Sequence, residues 1–229
     1  MRIRFPYGGT VFCAALFLFI LTLSFFVGIF AWNGRTYTTL ELKLTYHFLV
    51  RDCGVTTSGA VAGESYLAGG AGYLIEKENA VALACYYQKA DAEFVRGTMS
   101  ENGVLTRVLT LQTDRFALEG DWGTERANIE ANAKTVDSLT RILFETANGL
   151  DRVEISQDAA RAAVSGVVSS LGGLSAGNAH SCYDLWNVEL LRAQRKGREI
   201  AEGIVFAKDL RYLQIQLCMA VLHLADYFA

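Results

Sequence analysis

Apolar residues follow three regimes along this chain: an unbroken run at 11–31, short apolar stretches separated by turn residues over 44–111, and three-to-four-residue spacing from 124 to 227. The first, VFCAALFLFILTLSFFVGIFA, holds 21 residues without a charge. At about 1.5 Å of rise per residue, that length matches a bilayer's hydrocarbon core. The pattern predicts a transmembrane signal anchor, with residues 1–10 as a cytoplasmic N-terminus and 32–43 as a linker. Arg2 and Arg4 precede the run, while Arg35 and Lys43 follow it with Glu41. The positive-inside bias then places the N-terminus inside and the rest outside. A cleaved signal peptide ending at Ile29-Phe30-Ala31 is the rival reading, although its apolar region is ordinarily about 7–15 residues.

The second regime predicts a small α/β module over 44–119. Residues 44–52 (LTYHFLVRD) are rich in β-branched and aromatic side chains and read as a strand. Residues 54–63 read as a loop, and 64–72 (ESYLAGGAG) as a short helix that its glycines stop. Strands at 73–76 and 80–87 flank the turn Lys77-Glu78-Asn79. A helix over 91–102, with Ala92, Val95 and Met99 toward the sheet, leads to a last strand at 104–111. The order is β-α-β-β-α-β, a split βαβ plan that leaves one sheet face open.

The third regime predicts four helices over 121–229, at 124–148, 156–171, 181–199 and 200–227, packed as an antiparallel bundle. Gly149 fits the stop of the first and Ser156 the N-cap of the second. In the fourth, Leu210, Leu213, Leu217, Val221, Leu224 and Phe228 form one stripe, which Tyr212, Ile215, Met219 and Leu222 widen. A stripe that wide calls for burial among several helices or against a partner. The expected fold class is therefore α+β: a transmembrane helix, a four-stranded module and a helical bundle.

Charge excludes one class of partner. The chain holds 21 Lys/Arg against 24 Asp/Glu, a net charge of −3, and has no basic stripe for nucleic acid. Of five cysteines, Cys13 lies in the apolar run. Cys53, Cys85, Cys182 and Cys218 allow three pairings, and their wide spacing matches neither a redox motif nor a zinc knuckle.

The run AVALACYYQKADAEFVRGTMSENGVLTRVLTL resembles the second half of a sporulation-related repeat (SPOR) domain, in its order strand, helix, Gly-ended turn and strand. The resemblance implies an extracytoplasmic module behind one anchor in a bacterial inner membrane, binding peptidoglycan glycan strands stripped of stem peptides. Gln88-Lys89 stands where that family has a Gly-Pro-Phe-like turn, so no glycan contact carries over by position. Candidate contacts come from chemistry instead. Sugars bind aromatic faces and polar side chains, which points to Tyr46, Tyr73, Tyr86 and Arg107.

Catalytic signals are absent from the motifs. Gly69-Gly70-Ala71-Gly72 precedes a strand and lacks the Lys-Ser/Thr of a phosphate loop. His180-Ser181-Cys182-Tyr183-Asp184 would need His47 or His223 to complete a metal site. The expectation is a non-enzymatic protein, without metal or cofactor, in cell-envelope or sporulation processes. Its partners would be the bilayer through 11–31, peptidoglycan glycan, and a second copy or another protein through the helices. A membrane-anchored protein–protein scaffold is the alternative.

Overall fold

A computed structural model describes residues 37–113, 115–119, 122–177 and 183–228. Its strands are β1 (Tyr37–Glu41), β2 (Thr45–Asp52), β3 (Tyr73–Ile75), β4 (Ala80–Tyr86), β5 (Arg107–Gln112) and β6 (Arg115–Glu119). Its helices are α1 (Ser58–Leu67), α2 (Lys89–Glu101), α3 (Gly123–Asp151), α4 (Gln157–Gly177), α5 (Asp184–Glu202), α6 (Ala207–Leu222) and α7 (Leu224–Phe228).

The four central strands lie in the order β3-β4-β2-β5, all antiparallel. This is the sheet of a split βαβ module, with α1 and α2 inserted as the expected β-α-β-β-α-β order requires. β1 and β6, which fall outside the expected strands, prolong the β2–β5 ribbon with a one-residue offset. Glu41 faces Arg115, whereas Thr45 faces Gln112. The offset falls where the Leu44 N–H bonds Thr113 Oγ1 at 3.1 Å and the Thr113 N–H bonds Leu44 O at 2.9 Å.

Two expectations are corrected. The expected fold class began with a transmembrane helix, and the expected location was a bacterial cytoplasmic membrane crossed once, with the C-terminal domains extracytoplasmic. The structure is α+β, with seven helices and a four-stranded sheet among the described residues. No helix among those residues is long and apolar enough to cross a membrane. The run at 11–31 itself lies outside the described residues.

Further differences are local. The first module helix starts at Ser58, inside the stretch read as a loop, because Val61 and Ser65 bury against the sheet despite Gly59 and Gly63. Helix α4 runs through Gly172-Gly173 rather than ending there. At Gly172 a Cβ would stand 2.5 Å from Gln194 Nε2, so the glycine serves close packing on α5 instead of a stop. The single helix read over 200–227 is broken at Gly203, whose backbone is extended. Gln157 pins the resulting reversal: its side chain accepts from the Val205 N–H and donates to the Val205 carbonyl, both at 3.0 Å.

Helices α3 to α6 pack in a closed ring, α3 on α4, α4 on α5, α5 on α6 and α6 on α3. Helix α6 is apolar on two sides and buried on both. Leu210, Leu213, Leu217 and Val221 enter the bundle core. Ile215, Cys218 and Met219 enter the sheet core beside Tyr46, Phe48, Val50, Ala82 and Cys85. The sheet is thereby covered by α1 and α2 on one face and by α6 and α3 on the other. The open face expected of the module is closed by the chain's own bundle.

Candidate functional site

The four residues proposed for glycan contact are placed in different environments. Tyr46, the second residue of β2, is fully buried, and its hydroxyl donates to Asp137 Oδ1 of α3 at 2.8 Å. Burial, then the neighbouring Cys218 and Asp137, pushes its phenol well above the usual range, so it stays protonated. Asp137 Oδ2 accepts from Arg141 Nε at 3.1 Å, and the Arg141 guanidinium stands 4.1 Å over the Tyr87 ring. Tyr87 in turn donates to Thr140 Oγ1 at 2.7 Å. A buried polar layer thus joins the sheet to α3; Gln214 Nε2 of α6 donates into it, to the Tyr87 hydroxyl at 3.4 Å, while Gln214 Oε1 has no partner among the described residues.

Tyr73 is half-buried with its ring 5.2 Å from that of Tyr212, and Tyr86 lies edge-on to Phe144 at 5.9 Å. Burial raises the pKa of both phenols. Their rings serve the sheet–helix packing. Two of the four line clefts: Tyr73, with residues 74–77, Met219 and His223, lines one of about 250 Å³, and Arg107 lines a larger one. This larger cleft, about 510 Å³, is lined by Arg51, Asp52, residues 103–106 and Arg107. Arg107 Nε bonds Asp52 Oδ1 at 2.9 Å and its Nη2 lies 3.8 Å from Glu78, while Arg51 pairs with Glu64 at 3.3 Å. Thr106 Oγ1 is buried there with no partner among the described residues. The structure brings no tyrosine of the set to this cleft.

No family model, curated protein or solved structure matches the chain. Function must be read from its own surfaces.

Metal chemistry has no assembled centre among the described residues, where no three His, Cys, Asp or Glu side chains converge. Residues 180–182 of the possible ligand run lie outside them. His47 Nδ1 is 2.9 Å from Thr110 Oγ1, and His223 is half-buried beside Lys77.

Helix α5 carries a feature that sequence reading passed over. Trp186, Leu190, Ala193, Gly197 and Ile200 turn into the core. On the opposite side Leu185, Val188 and Leu191 are 61%, 43% and 50% exposed. Arg192 and Arg195 continue that outer side at the next helical spacings. They open onto a shallow groove of about 280 Å³, lined also by Lys196, Glu199, Tyr212 and Gln216. Arg192 pairs with Glu189 and Lys196 with Glu199, whereas Arg195 has no ion pair among the described residues. The signal was present in the sequence as two apolar sides on one helix.

Proposed function

We propose that this protein is a non-catalytic docking module whose outer α5 face receives a helical segment of a protein partner. The observation that carries the reading is the pairing on α5 of three exposed branched apolar side chains with an adjoining basic groove. Exposed apolar side chains at successive helical spacings offer anchors for an amphipathic helix. The cations beside them call for acidic residues at one end of that helix, which fixes its direction. The fitting partner is an acidic amphipathic helix. Closure of the sheet face by α6 supports this reading over glycan binding, since it removes the surface on which a sugar strand would lie.

The test is a selection of helical peptides from a displayed library on the whole chain. Enriched peptides should combine apolar residues three to four apart with Asp or Glu at one end. Their affinity should fall about tenfold or more for Leu185→Glu or Arg195→Glu. No enrichment, or enrichment indifferent to both variants, would refute the reading. Retention on amidase-treated peptidoglycan that disappears with Arg107→Ala would instead move function to the 510 Å³ cleft.

A further inference from the structure

Cys85 on β4 and Cys218 on α6 are separated by 133 positions, yet their sulfurs stand 3.8 Å apart in the sheet–helix core. Both are fully buried and both are thiols. Among the described residues no other cysteine takes part in this contact: the third described thiol, Cys53, sits on the opposite sheet face beside Val61 and Val81. The pair occupies the seam that joins the two halves of the chain, between the strand carrying the sheet core and the helix that covers it.

We infer that Cys85 and Cys218 form an oxidation site, at which a low-molecular-weight disulfide such as oxidised glutathione converts two thiols into a bond that locks α6 onto the sheet. The chemistry is thiol–disulfide exchange in two steps. One cysteine loses its proton and attacks a glutathione sulfur, giving a mixed disulfide and one glutathione, which takes up that proton. The second cysteine loses its proton and attacks the protein sulfur of the mixed disulfide, expelling the second glutathione. Two electrons pass from the protein to the oxidant, and one disulfide replaces another.

The surroundings set the rate. Burial raises the Cys85 thiol well above its usual pKa, so little thiolate is present while α6 is seated. Oxidation therefore proceeds through opening of α6 or during folding, and the closed core then shields the bond from reduction. The link restrains the unfolded chain across a long loop, which stabilises the fold. It also holds the sheet face shut.

The test is to unfold the whole chain, refold it in mixed reduced and oxidised glutathione, alkylate the remaining thiols and map the peptides by mass. The expected product joins the Cys85 and Cys218 peptides with Cys53 alkylated, and it melts about 5–10 °C above the reduced protein. Cys85→Ser should lose both the cross-linked peptide and the shift in melting. Alkylation of Cys85 and Cys218 to the same extent as Cys53 would overturn the inference. So would an unchanged shift in the Cys85→Ser protein. Because the peptide map is made on the unsubstituted chain, a failure of the variant to fold does not obscure the result.

Discussion

At the scale of single residues, the tyrosines differ in what their hydroxyls do. Tyr46 donates to the buried Asp137, so Tyr46→Phe leaves a carboxylate oxygen short of a donor. The expected loss is about 1–3 kcal/mol, read as a lower urea midpoint. Tyr73 packs mainly through its ring against Tyr212, so Tyr73→Phe should cost much less. Equal losses would contradict the buried layer described here. His223 contributes to the pH dependence, in the same direction as His47, whose pKa burial and then Lys89 also lower. Burial foremost, then Lys77, lowers its pKa below the ordinary 6.5, against the opposing Asp226 and Glu189. As pH falls, the unfolded chain takes up this proton first. Stability from His223 is therefore complete above pH 6.5 and is lost as pH falls from there through the lowered folded value. Denaturation midpoints measured from about pH 7.5 to 5 should decline, and His223→Asn should make the decline shallower. An identical slope in the variant would remove His223 from the account.

Among the elements, the end of α3 shows how a helix can stop without its usual residue. The Glu154 N–H bonds Gly149 O at 2.8 Å and the Val153 N–H bonds Leu150 O at 3.1 Å, the two bonds of a Schellman end. The left-handed position is held by Val153, with φ +58°, where a β-branched residue is strained. Its side chain is 87% exposed, so little packing is at stake. Val153→Gly should raise stability by about 0.5–1 kcal/mol, the relief of strain exceeding the added entropy of the unfolded chain. A lowered midpoint would show that the turn is not strained. Gly72 presents the reverse case. Its φ is +67° and a Cβ would stand 2.6 Å from the Ala62 carbonyl, so Gly72→Ala should destabilise measurably, through backbone strain as well as contact.

For the whole molecule, the consequence of the shared α6 is that neither half is complete alone. Ile215, Cys218 and Met219 fill the sheet core, and Leu40 and Leu42 fill the bundle core. Polar contacts cross the same boundary, with Tyr66 donating to Asp209 at 2.6 Å, Arg211 Nη1 donating to the Gly69 carbonyl at 3.5 Å, and Lys77 3.1 Å from Asp226. A fragment spanning 37–119 would expose one entire apolar sheet face. It should bind hydrophobic dye and lack a cooperative melt, while the whole chain unfolds in one transition. A cooperative melt of the fragment would show that the module is autonomous.

Periodicity determined most of the elements. Enrichment in β-branched and aromatic residues marked β2 in 44–52, an apolar run after a turn marked β4 in 80–87, three-to-four spacing marked the long helices, and their order yielded the split βαβ plan. These are local properties, since side chains alternate along strands and recur every 3.6 residues on helices. Glycine was ambiguous for a physical reason: the same residue ends a helix at a left-handed turn or lets two helices approach, and only the neighbour decides. Gly203 broke a helix that read as continuous, while Gly172 did not break the one it occupies. The widened stripe on α6 announced that something covers its second side. That the cover is the chain's own sheet was decided by tertiary structure alone. So were the burial of Tyr46 and the meeting of Cys85 with Cys218, because contacts between distant positions leave no spacing to read.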